Sequence, residues 1–377
     1  MTLLSCAEGQ TLSQDGLRCE KAKYQDFYDV TQMITGLVLY PTTCALGMVG
    51  NLLCLIVFSR RNMRSSTNIY LQALAVADMI KLFTDFLYFI VVLLLRVEQR
   101  EGIKLHGYLY PYAHYLFNMS LCISAWLTVC VSVERFIFIC QPSRVKRFCT
   151  VSRAIKVSTS TFILGIAVSF PYMLRYRTNS AVVNGTIEVY GVNVTALWSK
   201  DLFATAYTWA HALLRSAIPL LLLACLNISI WRGLKRPSSI QKNARLKYKA
   251  TLTLIYVVVV FFVCVTPDAI LSTVLGFGYY EENNFARGIR EISDYLLQVN
   301  SAVNFVIYYF SCTAFRNSIS SMCTRGYAYE PTRQSPIINE NTCSQLASST
   351  RHLDLSYRTS NGAANHHGFT FAIDERL

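Results

Sequence analysis

The chain has 377 residues, of which 53% are hydrophobic and only 15% charged, with a mean hydropathy of +0.33. A soluble domain carries about 25% charged residues, so the composition excludes an ordinary soluble globular protein and points to a chain that crosses a membrane repeatedly. The net charge of +13 suggests a nucleic-acid partner at first sight, but its distribution along the chain excludes that.

Residues 1–32 are polar and read as a tail ahead of the first apolar run. Met1–Cys6 has neither the charged start nor the long apolar core of a cleavable signal. Cys6 and Cys19 lie in this tail and can pair if it is extracellular. Most other cysteines, such as Cys44, Cys54, Cys122 and Cys264, fall inside apolar runs. They read as small buried hydrophobes, not as a disulfide framework or a metal set.

Crossing about 30 Å of hydrocarbon takes roughly 20 residues. Seven runs qualify, at approximately 33–59, 68–95, 108–140, 153–175, 203–231, 249–277 and 289–311. All have helical composition, and none shows the short alternation of a membrane barrel. Pro41, Pro171, Pro219 and Pro267 fall inside them, which membrane helices tolerate when neighbours re-satisfy the backbone. Between runs one and two lie Arg60, Arg61 and Arg64; between three and four lie Arg144, Lys146, Arg147 and Arg153; between five and six lie Arg232, Lys235, Arg236, Lys242, Arg245, Lys247 and Lys249. The alternate loops mix both signs. The positive-inside rule therefore puts these three basic loops in the cytoplasm and the N-terminus outside, and the +13 is mainly this bias.

Asn184 and Asn193 head glycosylation sequons in the second outer loop. Asn118 and Asn227 also head sequons, but inside runs, and are discounted. After run seven, residues 312–324 place Phe315, Ile319 and Met322 on one helical face. That predicts a short amphipathic helix on the inner surface. Cys323 at its end is either a palmitoylation site or a plain buried thiol. Residues 325–377 are polar and rich in hydroxyls, which predicts a disordered cytoplasmic tail open to phosphorylation.

Polar groups at membrane depth mark function by default. Glu134-Arg135-Phe136 closes run three, where an Arg is costly: about 2.5–3.5 kcal/mol at a helix centre, less near an end. Asp78 sits mid-run in Leu74-Ala-Val-Ala-Asp78, and a lone carboxylate there needs a cation, a proton or hydrogen-bond donors. Asn51 lies in run one, Ser124 three turns before Arg135, and Asn300, Asn304 and Tyr308 in run seven. On the outer side, Lys81 and Asp85 share a helix face at i, i+4 and either neutralise each other or face a ligand. Arg215 and Asp268 either pair across runs five and six, or meet a ligand carboxylate and a ligand cation respectively. His114, His211, Asp294 and Gln298, with Trp209, are further pocket candidates.

Taken in order, Gly50-Asn51, Leu74-Ala-Val-Ala-Asp78, Glu134-Arg135-Phe136, Pro219, Cys264-Val-Thr-Pro267 and Asn304-Phe-Val-Ile-Tyr308 resemble a rhodopsin-like (class A) G protein-coupled receptor over residues 33–323. There are departures. Tyr110 stands where the family has an outer cysteine, the second outer loop has none, Val265 replaces a Trp, and Phe305 replaces a Pro. The Asn304-Phe-x-x-Tyr308 form, with Asn227 where Tyr is common, is similar to FMRFamide- and myosuppressin-type peptide receptors and their orphan relatives.

The resemblance implies an all-α bundle of seven transmembrane helices at residues 33–311, in the plasma membrane, with no enzymatic activity. It implies an extracellular ligand, expected to be a neuropeptide, and a heterotrimeric G protein. Arrestin and receptor kinases would act through the tail, and homo- or hetero-dimers can form. It implies a sodium-and-water network at Asp78, Ser124, Asn300 and Asn304 with Asn51 nearby, and no other cofactor or metal. Glu134 and Arg135 would pair at rest and part on coupling, with Tyr308, Asn227 and Pro267 as further switch residues. The missing Cys and Trp keep open a chemosensory receptor for a small acidic or lipid-derived signal such as a pheromone. A transporter or channel fits less well, because seven runs do not divide into two repeats. A retinal receptor would need a Lys in run seven, which has none.

Overall fold

The computed structural model describes residues 24–183, 186–234, 241–273 and 284–325. Cys6, Cys19 and Asn184, the tail from residue 326, and the side chain of Cys323 lie outside the described residues.

Eight helices follow the apolar pattern. They are α1 (Gln25–Phe58), α2 (Ser66–Val97), α3 (Gln99–Cys140), α4 (Val151–Leu174), α5 (Leu202–Leu234), α6 (Gln241–Thr273), α7 (Asn284–Ala302, resuming as Asn304–Ser311) and α8 (Thr313–Arg325). Five of them, α1, α3, α4, α5 and α6, are long and apolar enough to cross a membrane by composition alone. The other two long helices carry charges, Asp78, Lys81 and Asp85 in α2 and Arg290, Glu291 and Asp294 in α7. The outward faces of the apolar helices expose Leu46, Ile163, Leu164, Leu221 and Val263, as a lipid-facing surface should. Two apolar clusters fill the interior, one around Leu74, Ile123, Leu127, Tyr308 and Phe315, the other around Leu121, Leu223, Phe261, Val265 and Leu297.

Local chemistry sets the helix ends. Ser65 caps α2 by accepting from the Asn68 amide at 3.2 Å, and Thr150 caps α4 the same way from Arg153 at 3.4 Å. In α1 the turn Met33–Leu39 widens to π geometry just ahead of Pro41. Proline offers no N–H to the carbonyl four residues back and its ring crowds that carbonyl, which a wider turn relieves. The same pairing recurs in α5, where the π turn Leu213–Ala217 precedes Pro219.

Several helices begin ahead of their apolar runs, α6 at Gln241 and α7 at Asn284 among them. α1 begins at Gln25, within the stretch expected to be tail, and α3 begins at Gln99, so only Glu98 separates it from α2. Hydropathy sees the part of a helix at hydrocarbon depth; the polar turns beyond it are invisible to that count.

Between α4 and α5 the chain forms an antiparallel hairpin, β1 (Tyr176–Val183) with β2 (Thr186–Val194). Its register slips at Asn179/Ser180, and Gly191 opposite adopts φ +130°, a value L side chains rarely adopt.

α1 and α7 touch closely at Gly47. A Cβ there would lie 2.7 Å from the Ala302 Cβ and 3.0 Å from its Cα. Gly47→Val is therefore expected to overpack this seam and destabilise the bundle by roughly 1–3 kcal/mol. The thermal unfolding midpoint of the purified receptor checks it; an unchanged midpoint would show that the two helices do not meet there.

Candidate functional site

Buried polar residues form a column from the hairpin end of the bundle to the end that carries the basic loops. At the basic-loop end, Ser66 and Thr67 open α2 and face the last turns of α3. The Ser66 hydroxyl donates to Glu134 Oε1, and Arg135 Nη2 donates to Thr67 Oγ1 at 2.9 Å. Glu134 also sits beside a helix N-terminus, where a negative charge is favoured. Adjacent helix residues point about 100° apart, so each finds its own partner on α2. The Glu134–Arg135 pairing expected at rest is not formed in this packing: no ion pair joins them among the described residues. Both side chains are buried, yet Glu134 Oε2 and Arg135 Nε have no hydrogen-bond partner. Tyr308 packs its ring 5.5 Å from Phe58 and 5.9 Å from Phe315, and its buried hydroxyl is also unpartnered. Asn227 donates its amide to its own helix, at the Leu223 carbonyl 2.8 Å away, and Pro267 stands half-buried in α6.

In the middle layer Asp78 is fully buried. Asn304 Nδ2 donates to one oxygen at 2.7 Å and Ser124 Oγ to the other at 3.2 Å, with Ser301 close by. Asn51 donates to the Gly47 and Ser301 carbonyls, both at 2.9 Å. Four helices, α1, α2, α3 and α7, are joined here, at the point where α7 breaks between Ala302 and Asn304. Among the described residues Asn300 forms no hydrogen bond to Asp78. It lines a cavity with Ser124, Ser216, Arg215 and Asp268 whose free volume, about 10 Å³, suits a single water.

Above that cavity the charges pair. Arg215 lies in the π turn of α5, donates Nη1 to Asn118 Oδ1 at 3.0 Å, and forms an ion pair through Nη2 with Asp268 of α6. Lys81 pairs with Asp85 at 2.5 Å and sits 4.4 Å over the Phe117 ring. Of the alternatives open in the sequence, internal pairing is the one formed in both cases. Arg290 and Asp294 approach more loosely, at 3.8 Å. Gln298 donates to the Tyr40 carbonyl and Cys44 Sγ, both at 2.9 Å, which binds α7 to α1. His114 packs edge-on to Tyr172 and Tyr176, and His211 bonds Ser169 at 3.2 Å beneath Tyr172. Trp209 is exposed on the outer surface of α5, and Asn193 is exposed at the base of the hairpin.

Residues 50–308 match the 7 transmembrane receptor (rhodopsin family). The chain belongs to this family. It is 27% identical to the FMRFamide receptor of Drosophila melanogaster over 72% of this chain, an alignment that spans only half of that receptor. It is also 27% identical to the probable G-protein coupled receptor frpr-1 of Caenorhabditis elegans, over 78% of this chain and 80% of that one. The human galanin receptor type 1 is 25% identical over 77% and 80% respectively. Membership makes the chain a multi-pass membrane protein and a signalling receptor, not an enzyme.

Several site residues were not singled out from sequence. Ser66 and Thr67 hold the Glu134–Arg135 step, Ser301 bridges to Asn51, and Asn118 receives Arg215. Asn118 carried a usable signal, since it lies one turn from His114 on the same face of an apolar run. Reading it only as a sequon hid that.

Proposed function

We propose that the chain is a plasma-membrane receptor, with its N-terminus outside, that binds a neuropeptide at the hairpin end and activates a heterotrimeric G protein at the Arg135 end. The observation that carries this is the column of buried polar residues. It runs from the Arg215–Asp268 pair through the Ser124–Asp78–Asn304 network to Arg135 and Glu134, whose remaining buried polar atoms lack partners. Unsatisfied buried groups of this kind favour a packing that supplies them. A ligand that binds one packing better than the other shifts the population toward it. The peptide class is supported by the names of the relatives, one a receptor for FMRFamide and another for galanin.

The carboxylate of Asp78 and the hydroxyls of Ser124 and Ser301 form a hard oxygen set that suits a sodium ion. Such an ion would neutralise Asp78 while the side chains hold their places. The hydroxyls of residues 325–377 are the natural substrates of receptor kinases and, once phosphorylated, a docking site for arrestin.

The test is a calcium assay in cells expressing the receptor with a promiscuous G protein. Synthetic FMRFamide, galanin and other amidated peptides are applied beside small acidic metabolites. A signal from an amidated peptide is the expected result. A signal from the acids alone would replace the peptide reading with a chemosensory one.

A further inference from the structure

The hairpin β1–β2 packs against α3 and the end of α4, yet no cysteine joins it to them: residues 176–194 contain none, nor does α3 before Cys122. What surrounds its base is aromatic. Tyr176, the first residue of β1, lies 5.0 Å from Tyr110 and 5.1 Å from His114, both on α3. Tyr172, at the end of α4, stacks on Trp198 at 5.4 Å and meets His114 edge-on at 5.0 Å. Trp198 in turn donates its indole N–H to the Pro171 carbonyl at 3.1 Å.

Arg175 occupies the centre of this group. Its guanidinium lies 4.9 Å from the Trp198 ring, 5.2 Å from Tyr176 and 5.9 Å from Tyr172. Among the described residues it forms no ion pair, and its Nε has no hydrogen-bond partner. A guanidinium with no counter-charge at 4 Å, facing three rings, is held by their negative faces. Two polar bonds close the same joint. Thr178 Oγ1 donates to the Gly107 carbonyl at 2.8 Å, and Thr195 Oγ1 to the Leu174 carbonyl at 2.7 Å.

We propose that this aromatic cluster with Arg175 at its centre is the tether that fixes the hairpin on the ends of α3 and α4, without a covalent link to α3. Tyr172, Arg175, Tyr176 and Trp198 are then positioning residues for ligand binding: they set where the hairpin stands on this end of the bundle. The inference rests on the preceding reading only in calling the hairpin end of the bundle the ligand's.

Amide hydrogen exchange on the full-length receptor in lipid nanodiscs, with no ligand added, tests it. In Trp198→Ala and Arg175→Leu, segments 176–183 and 186–194 are expected to exchange about tenfold faster, while 121–131 in the α3 core is unchanged. Trp198→Phe keeps a ring face and should stay near wild type. Arg175→Lys keeps the charge but loses the planar stack and should fall between. Treating the wild type with dithiothreitol should leave the hairpin's exchange as it was, an arm that needs no variant to fold. Unchanged hairpin exchange in both disruptive variants, acceleration spread evenly through the bundle, or acceleration by the reductant would each overturn the tether. None of these results bears on the ligand screen, so the tether and the receptor reading fail separately.

Discussion

Asp268→Ala alone is expected to cost the folded receptor about 3–5 kcal/mol, and Arg215→Met with Asp268→Leu markedly less. Both side chains are almost wholly buried, at 7% and 4% exposure. Removing the carboxylate leaves the guanidinium bonded to Asn118 but without its counter-charge, in surroundings that include Leu121, Phe261 and Val265. An uncompensated charge in such a place is far more costly than an apolar replacement of similar volume, because desolvating each ion already offsets most of the attraction within the pair. The double variant removes both charges and both desolvation costs. Thermal unfolding of the four members of the cycle in detergent gives the coupling energy directly. Single variants that each cost under about 1 kcal/mol would mean that water reaches the pair.

The same geometry constrains how ligand experiments can be read. A ligand anion that takes Arg215, or a ligand cation that takes Asp268, must open the link between α5 and α6. Both helices are already irregular at this level, with a π turn before Pro219 and Pro267 inside α6. Loss of response in Arg215→Ala therefore cannot assign a carboxylate to the ligand, since it also strands Asp268. The assignment needs the double-mutant cycle repeated against ligands that differ in one charged group.

What could be read from the sequence follows from how sparse charge is in it. Asp78, Glu134 and Arg135 stood out because a charge in an apolar run is costly anywhere in a membrane. The helix spacing of Asn300, Asn304 and Tyr308 then placed a polar face on α7. Long-range partners were not readable. Nothing in one sequence says that Ser66 and Thr67, at the start of α2, arrive opposite the end of α3; that depends on how two helices cross. The aromatic cluster was hidden for a different reason. Tyr110, Tyr172, Tyr176 and Trp198 come from three elements and a turn, and with 23 Tyr and 21 Phe in the chain no single ring is conspicuous. Arg175 was counted as one sign in a mixed-charge loop, whereas the proposed tether turns on the three rings it faces and on its having no ion pair among the described residues.

At the opposite end of the column, Arg135→Ala is expected to reduce ligand-stimulated nucleotide exchange to that of cells without the receptor, with ligand binding retained. Arg135 is the cation at the basic-loop end that carries a buried unpartnered nitrogen, and in this packing Thr67 holds it on α2. Thr67→Val separates the two roles. It removes a hydrogen bond from a charged donor, worth roughly 1.5–3 kcal/mol, without touching the guanidinium. If the Thr67 bond belongs to the resting packing, its loss shifts the equilibrium toward the coupled packing by about tenfold or more. Basal nucleotide exchange should then rise in Thr67→Val, fall in Arg135→Ala, and stay low in the double variant, if the G protein meets the freed arginine as proposed. A fall in basal exchange in Thr67→Val at normal surface expression would place the Thr67–Arg135 bond in the coupled packing instead, and would reverse the direction of the switch at this end of the molecule.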